Sequence, residues 1–271
     1  MKAGRGGVLF WQLAILIVFI GAWEYLTGIK AISKTPGLYW IDPFFISRPS
    51  KIVERFLYLA SDKVRLSIWQ MALSTIQSTL WGFLVGISTG FVAGLVLGRN
   101  DRVARIFDPY IVAFNSLPRI ALVPLITMIF GFGLLAKIVL AWSIVFFIVF
   151  FNTFQGARSV DADLVNSARF LGARESQIMR TVVIPSALAW TFASLTPSIS
   201  FALIGVVVGE FIGGESGGGL GYLIILSLGT LNAADMMVAL FALGVIGIVM
   251  ALGIKQIEAR LLRWRPEYQK R

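Results

Sequence analysis

Long apolar runs separated by short polar connections dominate the sequence. An α-helix rises about 1.5 Å per residue, so a hydrocarbon core of about 30 Å requires roughly 20 mainly apolar residues. Six segments fit a membrane span, at 8–29, 74–97, 106–130, 138–154, 188–211 and 236–254. The pattern predicts an all-α integral membrane protein with about six transmembrane helices, folded as a single domain over residues 1–271.

The composition agrees with a membrane protein and excludes much enzyme chemistry. Hydrophobic residues make up 57% of the chain and charged residues 14%, whereas soluble domains average about 25% charged residues. The chain has no cysteine and no histidine, which removes disulfides, thiolate nucleophiles, the usual zinc ligands and the ordinary neutral-pH base. An intramembrane hydrolase needs a nucleophile with a base to activate it, and a Ser–His pair is impossible here. We therefore expect no catalytic residue, no metal site and no cofactor site in this chain.

The net charge of +10 is explained better by membrane orientation than by nucleic-acid binding, because the basic residues lie between the apolar runs and form no single patch. Basic residues cluster near the N-terminus, after the second and fourth spans and at the C-terminus. This predicts that both termini are cytoplasmic. The loop 30–66 is basic as well and does not fit the rule. Within that loop, the stretch from Pro49 to Leu59 predicts an amphipathic helix on the outer interface.

Glycines recur every four residues in two ladders. The ladders are Gly82, Gly86, Gly90, Gly94 and Gly98, and Gly205, Gly209, Gly213, Gly217 and Gly221. Each ladder gives a helix a smooth face on which a neighbouring backbone can pack closely. We favour packing inside the chain over a dimer contact. The glycines near 217–221 are not a phosphate loop, because Leu220-Gly221-Tyr222 follows where a Lys-Ser or Lys-Thr is required.

The connection at 157–186 is polar but patterned. Leu164, Ala168 and Leu171 recur at helical spacing, and Asp161 or Asp163 can cap the start of that helix. Gly172 can end the helix in a left-handed conformation. A second short helix is predicted to run until Pro185. Two short helices across a tight turn favour a segment that docks onto another protein.

The frame Asn166-Ser167-Ala168, Gly172 and Val182-Val183-Ile184-Pro185 resembles the EAA loop of the permease subunits of ABC importers. Asn166 stands in place of the acidic residue, Ser167 in place of the first alanine, and Arg174 where relatives often have a capping serine. The resemblance implies a type I importer permease fold and a loop that lodges in a groove of the ATPase. The implied coupling residues are Asp163, Asn166, Ser167, Ala168, Gly172, Ile184 and Pro185.

Further segments, in order along the chain, resemble the nitrate, sulfonate, taurine and bicarbonate branch of that family. They include Leu117-Pro118, Val123-Pro124-Leu125, Phe130-Gly131-Phe132-Gly133 and Gly209-Glu210-Phe211-Ile212. The resemblance implies a multi-pass protein of the bacterial inner membrane that imports a small anion. It also implies a permease homodimer, separate ATPase subunits that bind ATP and Mg²⁺, and a periplasmic or lipid-anchored solute-binding protein.

The main alternative is a secondary transporter driven by an ion gradient, which is typically built from repeated halves with acidic sites near the membrane centre. The sequence shows no such repeat, and Glu24 is the only acidic residue well inside a span. Lipid is the expected surrounding in either case. Glu24 is predicted to snorkel to the membrane surface.

Four residues are candidates for the translocation pathway or a gate: Arg119, Asn115, Ser116 and Glu210. Arg119 lies about half-way along the third span beside Pro118, and a guanidinium there favours an anionic solute. The alternative for Arg119 is an internal ion pair or a helix-end carbonyl contact. Glu210, at the outer end of the fifth span, is interpreted as a gate or docking residue or as an interfacial carboxylate. Lys137 is predicted to be interfacial and Asp108 to cap a helix start.

Overall fold

The computed structural model describes residues 5–29, 38, 41–61, 64 and 67–262. Among them, five helices are long and apolar enough to cross a membrane: Gly7–Leu26, Ile68–Arg99, Leu134–Arg158, Glu175–Glu215 and Ala233–Leu261. A bent pair, Arg102–Ser116 and Arg119–Phe130, makes six if it is one span. The described residues contain no β-strand. The expected all-α membrane fold is confirmed.

The helices are numbered in chain order. They are α1 (Arg5–Leu26), α2 (Pro43–Ile46), α3 (Pro49–Ala60), α4 (Ile68–Arg99), α5 (Asp101–Ser116), α6 (Val123–Phe130), α7 (Leu134–Arg158), α8 (Ala162–Phe170), α9 (Glu175–Ile178), α10 (Ile184–Gly217), α11 (Leu220–Gly229) and α12 (Ala233–Leu261). The chain divides into two compact units, one formed by residues 1–71 and 223–243 and the other by residues 72–222 and 244–271.

The larger unit is built around α7, which the two glycine ladders contact. A Cβ atom added to Gly90 would lie 2.7 Å from the carbonyl oxygen of Phe146 on α7. A Cβ atom added to Gly205 of the second ladder would lie 2.8 Å from Ile144 Cδ1, also on α7. Side chains at these positions would therefore separate the helices. The interpretation of the ladders as internal packing is confirmed for these contacts.

A buried apolar cluster joins the same three helices. Its members are Phe83, Ala141, Val145, Val149, Leu195, Ile199, Ala202 and Val206. Further along α7, the Thr153 and Thr191 hydroxyls form a buried hydrogen bond of 2.7 Å with each other. The closely packed core fixes α4, α7 and α10 as a frame from which the connections at both ends project.

The smaller unit contains α3, whose predicted amphipathic character is confirmed. Its apolar residues Ile52 and Leu59 are buried. The Glu24 carboxylate accepts hydrogen bonds from the Ser50 amide at 3.0 Å and from the Ser50 hydroxyl at 2.8 Å. This carboxylate caps the first turn of α3, a contact that the snorkelling prediction for Glu24 did not include.

An ion pair fastens the other side of α3 within the same unit. The Arg55 guanidinium donates two hydrogen bonds of 2.7 Å to the Asp235 carboxylate at the start of α12. This paired hydrogen bond raises the pKa of Arg55. Asn232 also donates to Asp235, at 2.8 Å. The contacts fix the orientation of α3 relative to the first turn of α12.

The third predicted span, 106–130, is not one helix. Helix α5 ends at Ser116, a 3-10 turn covers Arg119–Leu122, and α6 begins at Val123. The two arms of the pair are bent by 81°. Leu117 has an extended backbone, with φ −70° and ψ 126°, as is favoured for a residue before proline. Pro118 has no amide hydrogen to continue the helix, which explains why the break is sharper than a simple kink.

Candidate functional site

The connection between α7 and α10 folds as two short helices across a glycine turn. The Asp161 carboxylate caps α8 by accepting a hydrogen bond of 2.9 Å from the Asp163 amide. Gly172 has φ +83°, a conformation that a residue with a Cβ atom adopts at a cost. The Ala173 amide donates to the Ala168 carbonyl at 3.0 Å and closes the turn. The predicted helix, cap and left-handed glycine are confirmed.

One side of this connection is fastened to the larger unit. Ala157, Ile178, Val183 and Ala187 form a buried cluster, and Val165, Ala168 and Ala173 pack against it. Ala168, at the third position of the Asn166-Ser167-Ala168 frame, is thus partly buried. Asn166 and Ser167, the two departures from the motif, are exposed on α8, and so is Asp163.

The other side of the connection presents apolar side chains to its surroundings. Phe170 is 92% exposed and Leu171 is 89% exposed. Leu164, on α8, is 55% exposed. The helical spacing of Leu164, Ala168 and Leu171 had indicated one shared face, but only Ala168 packs inward. Phe170 and Leu171 were not singled out by the motif, although two adjacent apolar residues before a glycine turn were visible in the sequence.

A charged contact links the connection to the end of α4. Glu175 accepts a hydrogen bond of 2.7 Å from Arg169 Nε and pairs with Arg99, the last residue of α4. The Glu175 carboxylate raises the pKa of Arg169 by hydrogen bonding. The Gln177 side chain accepts from the Arg174 amide at 2.7 Å, so the first turn of α9 is capped although Arg174 replaces serine.

The second short helix does not end at Pro185 as predicted. Helix α9 continues through a π-helical turn, Met179–Val183, directly into α10. Ile184 and Pro185 are both partly buried in the first turn of α10. Pro185 has no amide hydrogen to donate to the preceding turn, and the π-helical turn, Met179–Val183, ends just before it. The second part of the coupling connection and the predicted fifth span therefore form one helical segment, Glu175–Glu215, whose backbone departs from helical geometry only near its end, at Gly214.

A buried polar cluster lies at the opposite end of α7, near its first turn. Glu210 has no exposed surface and Lys137 is 3% exposed. Lys137 Nζ lies 3.4 Å from Glu210 Oε1 and donates to the Ser74 hydroxyl at 2.8 Å. The Thr75 hydroxyl donates to Glu210 at 2.9 Å. The interfacial prediction for Lys137 is wrong, because its ammonium group is paired inside the unit.

The same cluster holds the start of α11. The Gly221 amide donates to Glu210 Oε2 at 2.9 Å, and the Leu220 amide donates to the Thr75 hydroxyl at 3.1 Å. A Cβ atom at Gly219 would collide with the Glu210 carboxylate. Gly221 lacks room as well, because a Cβ atom there would lie 2.7 Å from the Val207 carbonyl. These two glycines let the backbone approach a buried carboxylate, which rules out the interfacial interpretation of Glu210.

Arg119 lies at the break between α5 and α6. Its Nη2 donates to Asn115 Oδ1 at 2.8 Å, and its guanidinium carbon lies 4.8 Å from the centre of the Phe147 ring. Its Nε atom is buried without a hydrogen-bond partner. Asn115 and Ser116 are exposed.

Asp108 lies inside α5 and does not cap it. The Asn100 side chain caps this helix by accepting hydrogen bonds from the Arg102 and Val103 amides, so the prediction that Asp108 caps a helix start is wrong.

The sequence is similar to known proteins. Residues 82–263 match the family described as "Binding-protein-dependent transport system inner membrane component". SsuC of Bacillus subtilis, which carries the name of an aliphatic sulfonates transport permease, is 29% identical and covers 96% of this chain and 90% of its own. The taurine transport system permease protein TauC of Escherichia coli is 27% identical, and the match covers 95% of this chain and 90% of TauC. The riboflavin transport system permease protein RibX of Chloroflexus aurantiacus is 30% identical, and the match covers 93% of this chain and 88% of RibX.

Solved structures agree on the fold. A chain of the MetNI methionine ABC transporter, in an inward-facing conformation, superposes with a TM-score of 0.62 at 20% identity and covers 76% of this chain and 97% of that chain. The chain belongs to the binding-protein-dependent transport system inner membrane component family. It is the membrane permease subunit of an ABC importer and acts in transport.

Proposed function

We propose that two copies of this chain form the pathway of an importer for small anions in the bacterial inner membrane. Separate ATPase subunits bind ATP and Mg²⁺ and dock on the coupling segment, residues 157–186. A periplasmic or lipid-anchored binding protein delivers the solute on the other side. Both termini lie in the cytoplasm, and lipid surrounds the dimer. The two conformations of the pathway alternate as the ATPase closes and opens.

The observation that carries this proposal is the two-sided character of the coupling segment. Its inner side packs on a buried cluster that includes Ile178 and Val183. Its outer side presents Phe170 and Leu171 almost fully exposed. Adjacent large, exposed apolar side chains on a polar segment are typical of a protein contact. The part of the segment from Glu175 onward continues into α10, and the turn at Gly172 joins Leu171 to it, so a force on Leu171 would be passed through this turn to a membrane-spanning helix.

The charge distribution supports a cytoplasmic coupling segment. Arg99 and Arg158 end the spans α4 and α7, and Arg169 lies in the segment itself. Arg99 also pairs with Glu175 of the segment, so these residues belong to one end of the larger unit. Basic residues concentrate on the cytoplasmic side of membrane proteins. The opposite end of α7 then faces the periplasm, together with Glu210, which we propose as a gate residue.

The anionic solute is supported by two observations. Arg119 places a fixed positive charge at the break in the third span, where Asn115 orients its guanidinium. Two of the relatives carry the names of sulfonate and taurine permeases. A guanidinium binds sulfonate and carboxylate groups through paired hydrogen bonds. Asn115 and Ser116, which are exposed next to this charge, are proposed to line the same pathway.

The docking role is tested by co-purification of the tagged permease with the ATPase of its own transport system. Leu171→Asp places a charge on the apolar contact and should abolish co-purification and ATP-driven uptake. Leu231→Asp is the matched control, because Leu231 is also an exposed leucine, at 65%, in a connection between helices. We expect this control to retain the ATPase. Normal co-purification and uptake with Leu171→Asp would contradict the docking role.

A further inference from the structure

Helix α5 is amphipathic although it belongs to a membrane span. One face of the helix is polar and consists of Arg102, Arg105, Asp108, Asn115 and Ser116, with Val112 among them. The opposite face is apolar and consists of Val103, Phe107, Tyr110, Ile111 and Phe114. The polar residues recur at three- and four-residue intervals, so they form a continuous stripe along the helix. Every residue named for the polar face is exposed.

The apolar face is the one directed toward the rest of the larger unit. Phe107, Tyr110, Ile111 and Phe114 line a cavity of about 460 Å³. Phe146, Phe147 and Phe150 of α7 form the facing wall. Because the apolar face of α5 is directed toward α7, the polar stripe on the opposite face is turned away from the unit. The stripe therefore requires water or a polar partner outside the described residues.

The stripe reaches deep into the membrane. Arg119, in the turn after α5, contacts the end of the stripe by donating a hydrogen bond of 2.8 Å to Asn115, and its guanidinium lies over Phe147. Phe147 is near the middle of the 25-residue helix α7, roughly 15–20 Å from either end at about 1.5 Å per residue. A charged side chain facing lipid at such depth is unfavourable by about 2.5–3.5 kcal/mol on insertion scales. Lipid is therefore a poor surrounding for this face.

The stripe also has a net positive charge. Between residues 102 and 119 the chain has three arginines and one aspartate. Arg102 and Arg105 stand near the start of α5, beside Arg99, and Arg119 stands at the far end. Such a row attracts small anions and repels small cations. It extends from the Arg99 end of the larger unit to the break in the third span.

We propose that the polar stripe of α5 lines the water-filled cytoplasmic half of the pathway and conducts small sulfonate- or carboxylate-bearing solutes from Arg119 to the cytosol. The inference rests on the proposed function and deepens it. Arg119 binds the anion at mid-membrane, the Asn115 amide and the Ser116 hydroxyl donate hydrogen bonds to it, and Arg105 provides the next positive charge on the exit route. Asp108, between the two arginines, weakens the attraction so that the anion can leave.

The absence of cysteine from the chain allows a direct test by single-cysteine labelling of the full-length permease in proteoliposomes. Val112→Cys and Ser116→Cys probe the stripe, and Phe114→Cys is the matched control. Val112 is 55% exposed and Phe114 is 57% exposed, but the two lie on opposite faces of α5. The probe is a negatively charged, membrane-impermeant thiosulfonate added from the cytoplasmic side. Only a thiol in water ionises and reacts readily.

We expect Val112→Cys and Ser116→Cys to react more than about tenfold faster than Phe114→Cys, since a thiol in apolar surroundings stays protonated. The anionic reagent should react faster than a cationic thiosulfonate of similar size, and Arg119→Gln should reduce that preference at Ser116→Cys. Equal labelling of both faces, labelling of neither face, or a preference for the cationic reagent would overturn the proposal. These measurements need no ATPase, so their failure is distinct from failure of docking at Leu171.

A second arm excludes an α5 that merely lies on the membrane surface. In the complex with the ATPase, a non-hydrolysable ATP analogue should slow labelling of Val112→Cys at least several-fold, because the cytoplasmic half of the pathway closes. A surface helix would be labelled at the same rate in both states. That result, obtained with an ATPase shown to bind the analogue, would overturn the assignment of the stripe to the pathway.

Discussion

Replacement of Lys137 by methionine is the perturbation whose effect the structure predicts most sharply. The substitution keeps an unbranched apolar stem but removes the ammonium group that lies 3.4 Å from Glu210 Oε1. Glu210 would retain its hydrogen bonds from Thr75 and the Gly221 amide. It would lose its counter-ion while having no exposed surface. Removing one partner of a buried ion pair costs about 3–5 kcal/mol, because the remaining charge stays desolvated.

The assay is thermal unfolding of the purified permease, followed by tryptophan fluorescence and by loss of the monodisperse chromatographic peak. On a scale of about 2–4 °C per kcal/mol, a loss of about 3–5 kcal/mol lowers the Tm by roughly 6–20 °C. Removing both charges with Lys137→Met and Glu210→Gln should recover more than half of that loss, since no buried charge then lacks a partner. Glu175→Gln is the control, because its ion pairs are on the surface and should contribute little.

An unchanged Tm for Lys137→Met would refute the reasoning. Strict additivity of the two single substitutions would refute it as well, because it would mean that Lys137 and Glu210 do not interact energetically. The gate role proposed for Glu210 has a separate readout. If the cluster must open during transport, the double variant should fold and assemble but show an altered ATPase response to the loaded binding protein.

Three further predictions concern other parts of the chain. Gly172→Asp should release the ATPase, because Gly172 has φ +83°. The control is Gly131→Asp, which has equally open space and, at φ +77° and ψ −174°, a backbone conformation essentially restricted to glycine; it lies outside the coupling segment and should retain the ATPase in the same co-purification assay. Gly90→Ala should lower the Tm, since overpacking costs about 1–3 kcal/mol, whereas Gly244→Ala, with nothing within 4 Å, should not lower it. Arg119→Gln should impair uptake of an anion more than assembly or basal ATP hydrolysis, as measured on the same preparation; unchanged uptake would reject its pathway role.

Several features of the fold followed directly from local sequence patterns. The apolar runs predicted the spans because a bilayer requires a fixed helix length. The four-residue glycine spacing predicted close helix packing because it removes side chains from one helical face. Gly172 was recognisable as a left-handed turn because it follows a helical repeat. Each of these inferences depends on residues that are close together in sequence.

Other features depended on partners that are distant in sequence. Lys137 and Glu210 are 73 residues apart, and neither shows in its own neighbourhood that it is buried. Glu24 resembled a residue that snorkels, because its partner Ser50 belongs to another helix. Pro118 indicated a kink, but the angle of 81° depends on how α6 packs. The exposure of Leu171 could not be predicted from the apolar spacing that it shares with the partly buried Ala168.

The most direct test of the central claim is uptake into proteoliposomes that contain this permease, its ATPase and its binding protein, with ATP on the cytoplasmic side. Radiolabelled taurine, an aliphatic sulfonate and nitrate serve as probes, and a cation of similar size serves as the control. We predict uptake of at least one anion that requires both ATP and the binding protein and that is lost with Leu171→Asp. Uptake by the permease alone, driven by an imposed ion gradient and indifferent to ATP, would contradict the account and favour a secondary transporter.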